Sequence, residues 1–253
     1  MHPSVAQKIS VAILVALCAC YPRMHDTPLP LLEGSAQLVV VTTPTWTSTV
    51  GTMQRFSRGS LGGKWQAEDA LVPVVVGRTG LAWGVGFDDA GSGGPHKQEG
   101  DGKAPAGVFP LDTVFGFAPT SPMRSGELPY VQLLPTSDCV DDIASAHYNT
   151  VVDRASVAAV DWKSAEHMRE VGQYRIGVIV GYNASPPVSG RGSCIFLHIW
   201  AGPQSHTAGC TAFDEAKLRE LIAWLDRSKH PLLVQLPAEE FARLRNRWEL
   251  PAA

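Results

Sequence analysis

The chain has 253 residues, 45% of them hydrophobic, and 21 basic against 24 acidic side chains leave a formal charge of −3. That length suits one globular domain with small appendages. The charge balance leaves no electrostatic footprint for a nucleic-acid partner, since the basic residues are scattered, chiefly along the solvated face of the C-terminal helix.

The N-terminus reads as an export signal. Lys8 supplies a positive charge, and Val11 to Ala19 is an uninterrupted apolar run, too short to span a bilayer stably. Leu17-Cys18-Ala19-Cys20 resembles a bacterial lipobox. On that reading residues 1–20 are the signal, Cys20 becomes the lipidated first residue of the mature chain and Cys18 is discarded. An ordinary cleaved signal or an uncleaved anchor is the alternative. The expected location is the periplasm or cell envelope, with the protein held at the membrane by its N-terminal lipid. Residues 21–35 are Pro-rich and polar and read as a tether.

Short β-type runs follow. Gln37 to Thr43 is rich in Val, Met53 to Ser57 alternates, and Leu71 to Gly77 is a strand that includes a Pro, hence edge-like or starting there. Gly80 to Phe87 alternates Gly with larger apolar residues, and Asp89 to Lys103 is a Gly/Asp/Lys-rich loop. Ala106 to Leu111 and Tyr174 to Tyr182 read as strands, and Asn183 to Gly192 as a Pro/Gly/Ser loop. Ser164 to Val171 reads as a short helix capped by Ser164. Cys194 to Trp200 is a strand whose period of two puts Cys194, Phe196, His198 and Trp200 on one face and Ile195, Leu197 and Ile199 on the other. Asp214 to Ser228 is the clearest helix, with Asp214 as N-cap and Leu218, Leu221, Ile222 and Leu225 on one stripe. Pro231 to Leu236 is a last strand, and Ala238 to Trp248 a closing helix with Phe241, Leu244 and Trp248 aligned. Many strands, few helices and no β-α alternation point to a β-rich α+β domain.

Cysteine usage bears on the chemistry. With Cys18 and Cys20 in the signal, Cys139, Cys194 and Cys210 remain. In an oxidising compartment two would pair and one would stay free. A Cys139–Cys194 pair that leaves Cys210 free fits a thiol enzyme; the alternative is that Cys139 and Cys194 are small buried hydrophobes. His198, at the end of a strand, is the nearest candidate base in sequence to Cys210. Gly209 permits a sharp turn and close approach. A helix beginning near Asp214 would favour the Cys210 thiolate through its dipole. The N–H groups of Gly209 and Cys210 could hold an oxyanion. A zinc site from Cys210, His198 and His206 lacks supporting ligand spacing, so no metal is expected.

Ile195-Phe-Leu-His198 followed by Thr207-Ala-Gly-Cys210-Thr-Ala resembles the catalytic segment of the L,D-transpeptidase (YkuD-type) family. Further pieces resemble an exported branch of it: Gly102-Lys-Ala-Pro-Ala-Gly-Val-Phe109, Cys139-Val-Asp-Asp142 with His147-Tyr-Asn149, Trp162 to Met168, and Gly190-Arg-Gly-Ser-Cys-Ile-Phe-Leu-His198. The resemblance covers roughly residues 36–237, with 238–253 as a C-terminal helix and tail. It implies a YkuD-like β-sandwich with a few short helices, one of them following the catalytic Cys. It also implies a reaction on peptidoglycan stem peptides. Cys210 attacks the carbonyl of an L-centre-to-D-centre peptide bond, His198 takes the thiol proton, and an amine or water resolves the thioester. No cofactor is implied.

Substrate contacts are expected from Arg191, Tyr148, Asn149, Asp142, Trp200 and Thr207, with Asp141 beside them. Each also has a structural reading: a surface ion pair, a turn, a loop cap or core packing. The better-known family pattern is Ser/Thr-His-Gly-Cys followed closely by Arg or Asn. Here Ala208 stands in place of the histidine, Thr211-Ala212 follows the cysteine, and the loop after His198 is shorter. His206, four residues before the cysteine, reads as a solvated loop histidine, with filling of the missing histidine's space as the alternative. The departures leave transpeptidation against hydrolysis open, and keep a catalytically degenerate envelope-binding lipoprotein as the rival of another class.

Overall fold

The computed structural model describes residues 30–87, 93–120 and 128–252. The signal, Cys20 and the first part of the tether lie outside the described residues, as does part of the Asp89 to Lys103 loop. In chain order the elements are helix α1 (Pro30–Glu33) and strands β1 (Gln37–Thr43), β2 (Val50–Ser57), β3 (Gln66–Ala67), β4 (Val72–Val75) and β5 (Leu81–Trp83). The long strand β6 (Ala104–Gly116) comes next, then β7 (Tyr130–Gln132), β8 (Ser137–Val140), β9 (Val151–Asp153) and β10 (Ala165–His167). Two 3-10 turns, Met168–Glu170 and Gly172–Arg175, lead into β11 (Ile176–Val180), β12 (Phe196–Ile199) and β13 (Thr211–Phe213). Helix α2 (Glu215–Trp224), a 3-10 turn at Arg227–Lys229, β14 (Leu232–Pro237) and α3 (Ala238–Leu244) complete the chain.

The chain is a β-rich α+β fold, and its main sheet closes on itself. The order β1-β14-β6-β11-β12-β13-β4-β2 returns to β1, because β1 pairs with both β14 and β2. Closure gives each of these eight strands two neighbours and removes the free edges of an open sheet. Two pairings in the ring, β1–β14 and β12–β13, are parallel and the rest antiparallel. Strand β6 serves two neighbours in succession, β14 along Gly107–Pro110 and β11 along Leu111–Gly116. Pro110, which has no N–H to donate, stands at the switch, and its carbonyl accepts from Gly181 N–H at 2.9 Å.

Local signals and packing agree along much of the ring. The stripe Leu218, Leu221, Ile222 and Leu225 is fully buried in the main core, and Asp214 caps α2 by accepting from the Ala216 and Lys217 N–H groups. The terminal segments join the same core. Leu32 is buried, and Arg58 donates to the carbonyls of Leu32, Glu33 and Ser35, so residues 30–35 of the expected tether pack on the domain. Phe241, Leu244 and Trp248 also lie in this core.

The helix expected over Ser164 to Val171 is overturned. Ala165, Glu166 and His167 pair instead with Val140, Cys139 and Asp138 of β8, and only a 3-10 turn follows. The pairing wins because Asp138 is buried and needs donors. Arg154 at 2.6 Å and Trp162 at 3.0 Å supply them, and His167 Nδ1 lies 2.7 Å from the same carboxylate. The resulting small sheet, β10-β8-β9, lies beside a second apolar cluster of Phe115, Leu133, Cys139, Met168, Tyr174, Cys194, Phe196 and Cys210.

Replacing Leu221, fully buried on α2, by Ala is expected to cost about 2–5 kcal/mol of folding free energy. Urea unfolding of both proteins measures this.

Candidate active site

Strand β12 carries the alternation read from the sequence. Leu197 and Ile199 enter the main core while Phe196 enters the second cluster. The strand begins at Phe196 rather than Cys194, because Cys194 adopts a left-handed φ of 56° and its N–H is bound by the Asn149 side-chain oxygen at 2.9 Å. Cys194 is joined to Cys139 in a disulfide, and among the described residues Cys210 is left as a free, buried thiol.

The loop from Trp200 to Cys210 returns the chain to lie parallel beside β12. Thr207 anchors it: its N–H donates to Val76 C=O at 3.0 Å and its C=O accepts from Arg78 N–H at 2.9 Å. The Thr207 hydroxyl donates to Cys210 C=O at 2.6 Å and accepts from Gly209 N–H at 3.1 Å. Gly209 allows close approach here, since a Cβ there would sit 3.0 Å from the Lys103 carbonyl oxygen and press on that backbone. The register Leu197↔Thr211 and His198↔Ala212 sets Cys210 beside Phe196, whose N–H reaches the Cys210 sulfur at 3.3 Å. Cys210 and His198 therefore share a face, offset by two residues, about 6.6 Å along a strand.

Both line one pocket of about 280 Å³, with Tyr174, Glu166, Asp141, Glu99, Lys97 and Trp200 among its walls. His198 Nδ1 lies 2.8 Å from the Ile199 carbonyl. A carbonyl only accepts, so Nδ1 carries the proton and Nε2 is left with its lone pair. Burial lowers the His198 pKa from 6.5 to about 4, so the ring is neutral at pH 7. No hydrogen bond joins the imidazole to the thiol. The Cys210 S–H instead faces Cys194 C=O at 3.4 Å.

The electrostatics of Cys210 reverse the expectation from the helix dipole. Strand β13 separates it from α2, whose cap is Asp214, and the dipole effect fades within the first turn. Burial raises the thiol well above its ordinary range, and the nearby Glu166 charge adds to the rise. The Tyr174 hydroxyl lies between these two groups, donating to Glu166 Oε2 at 2.7 Å while its ring packs edge-on against His198 at 5.0 Å. Burial, with opposition from Tyr174, raises the Glu166 pKa as well.

The oxyanion donors separate. Gly209 N–H is taken by Thr207, whereas Cys210 N–H has no partner among the described residues. Of the expected substrate contacts, Trp200 and Thr207 line the pocket; Arg191, Tyr148, Asn149 and Asp142 do not. Arg191 Nε is turned to Lys97 C=O at 3.1 Å. Asn149 holds the Tyr182 and Asn183 carbonyls at 2.8 and 2.7 Å, besides Cys194 N–H, so its amide builds the turn. Asp142 caps a loop through the Ala144 and Lys163 N–H groups, which lower its pKa. Tyr148 donates to Glu99 Oε2 at 2.5 Å, and Ser193 donates to the same oxygen at 2.7 Å. His206 is exposed at the rim.

Tyr174, Glu166, Glu99 and Lys97 are wall residues that the sequence reading did not single out. Among the described residues no group of three or more His, Cys, Asp or Glu is placed to hold a metal ion, and no helix is long and apolar enough to cross a membrane. Comparison with family models, curated proteins and solved structures finds no match to this chain.

His198 is neutral when folded, with its pKa depressed from 6.5 to about 4, so the unfolded chain binds its proton first as pH falls. Its contribution therefore favours unfolding progressively from pH 6.5 down to about 4. Between pH 7 and pH 5 the wild type should lose about 2 kcal/mol more stability than His198→Gln, read by urea unfolding at both pH values.

Proposed function

We propose that this chain is a cysteine acyltransferase of the L,D-transpeptidase type. It acts on peptidoglycan stem peptides at the cell envelope and is held there by a lipid on Cys20. The observation that carries the reading is the shared face of β12 and β13. On it a thiol and an imidazole with a free Nε2 open into the same pocket. A sandwich of the YkuD kind belongs to this proposal, with opposed walls of the closed ring as its two layers.

In the proposed reaction the Cys210 sulfur bonds to the donor carbonyl carbon as its proton passes to His198 Nε2. The Cys210 N–H faces the developing oxyanion. His198 then gives the proton to the leaving amine as the C–N bond breaks, leaving a thioester. An incoming amine, or water, loses a proton to the same nitrogen, attacks the thioester and restores the thiol. The neutral imidazole suits a base. The protonated resting thiol means that deprotonation accompanies attack instead of preceding it.

A second reading keeps the fold and loses the chemistry: an envelope-binding protein with a silent site. The burial of Cys210, its elevated pKa and the occupied Gly209 N–H favour it.

Cys210→Ala is expected to reduce turnover of stem peptides by about 10³-fold or more, followed by mass spectrometry with and without an acceptor amine. A cross-linked product identifies the transferase and a shortened stem the hydrolase. Unchanged turnover in the variant would sink the nucleophile. A carbapenem adduct on Cys210 would argue against the silent site, whereas tight peptidoglycan binding without an adduct would support it.

A further inference from the structure

The catalytic scheme leaves unused a buried pair of titratable groups. Tyr174 is nearly enclosed, and its ring is wedged against Phe115, Phe196 and His198. Its hydroxyl lies beside the Cys210 thiol yet donates to Glu166. Glu166 reaches this position because β10 pairs with β8, which sets it opposite Cys139, and Cys139 is bonded to Cys194, whose carbonyl faces the thiol. A tyrosine has one proton to donate. While Glu166 is an anion, that proton is spent on the carboxylate, and the negative charge also opposes a thiolate nearby.

The other charged groups at the pocket do not replace this arrangement. Lys97 is bound to Asp101 at 2.6 Å and to Gln98 C=O at 2.7 Å. Glu99 is held by Tyr148 and Ser193. Asp141, with one buried oxygen unpartnered among the described residues, adds negative charge. His198 is neutral, and Arg78 and His206 line the same pocket, His206 exposed at its rim.

We propose that Glu166 and Tyr174 are positioning residues acting on Cys210 as a pair. Glu166 engages the Tyr174 hydroxyl proton, withholding it from the neighbouring sulfur, and keeps the thiol protonated. Loss of its charge removes the opposition to a nearby thiolate, and loss of its acceptor oxygen lets that hydroxyl donate to the sulfur. No bond is made or broken in the switch; one hydrogen bond changes its acceptor. The inference deepens the reading of Cys210 as a nucleophile and rests on it for its functional meaning, but it is measurable without peptidoglycan.

The experiment is the rate of iodoacetamide alkylation of the full chain at pH 8, quantified on the Cys210 peptide by mass spectrometry, with each variant's fold checked by circular dichroism. Glu166→Gln removes charge while keeping an acceptor. A one-unit fall in thiol pKa raises the thiolate fraction tenfold and lowers its nucleophilicity about threefold, so alkylation should quicken by about threefold or more. Glu166→Ala also frees the Tyr174 hydroxyl and should be faster again. Adding Tyr174→Phe to Glu166→Ala should return the rate to that of Glu166→Gln. Wider access cannot mimic this reversal, because deleting a hydroxyl opens the site further. An unchanged or slower Glu166→Gln overturns the proposal, as does a Glu166→Ala rate that ignores Tyr174→Phe, or a thiol unreactive in every variant. If Glu166→Ala does not fold, Glu166→Gln alone decides. A failed Cys210→Ala turnover assay would leave these rates as they are, so the two readings fail separately.

Discussion

The parallel pairing of β12 with β13 is the constraint on which the candidate site depends. Parallel neighbours run in the same direction, so the chain must travel back the length of the strand before pairing, usually through a helix. Here a loop alone makes the return, tied by Thr207 to Val76 and Arg78 at the end of β4. Had the two strands been antiparallel with a tight turn, Cys210 would fall near the turn itself. The parallel register instead carries it back to the start of β12, beside Phe196 and on the face of His198. Gly209 and Thr207 complete the geometry, one by approaching the backbone at Lys103 and the other by closing the turn on both sides.

Two effects compete for the charge of Cys210, and their sizes decide the outcome. A helix terminus contributes about 0.3–1 kcal/mol in usual settings and only within its first turn. Removing a thiolate from water costs far more when no cation meets it. The cation at hand, Lys97, is committed to Asp101, and the nearest ionisable neighbours are an acid and a tyrosine. Desolvation therefore wins, and the resting sulfur is a thiol. A neutral thiol next to a neutral imidazole differs from a preformed thiolate–imidazolium pair: charge separates only as a substrate carbonyl arrives to accept it.

What could be read from the sequence was what local physics decides. Gln37 to Thr43 and the α2 stripe were legible because burial periodicity and the Asp214 cap act within a few residues. The alternation through Cys194 to Trp200 placed His198 on the face it occupies. Ser164 to Val171 was misread because its partner is a strand elsewhere in the chain, where the unmet needs of Asp138 override a capped local helix. Asn149 looked like a cleft residue, and nothing nearby in sequence shows that its amide is consumed by the backbone at Tyr182, Asn183 and Cys194. Tyr174 and Glu166 were invisible as a pair for the same reason, since their meeting with Cys210 requires strands from several parts of the fold.

The ring of strands has one further consequence, for the order in which the molecule can assemble. Strand β1 lies between β2, its immediate successor, and β14, whose Leu232 to Pro237 stand opposite Leu38 to Thr43. A chain made from its N-terminus presents the first of these partners at once and the second only after β3 to β13 have been made. Until then one side of Val39, Val40 and Val41 is an unsatisfied apolar edge open to other chains. Pairings this distant in sequence carry a high entropic cost before they are repaid. Strand β6 inherits the delay, because its Gly107–Pro110 segment awaits the same last strand. The nascent protein thus has a vulnerable interval, and its length is set by how quickly the segment from β2 to β14 is made.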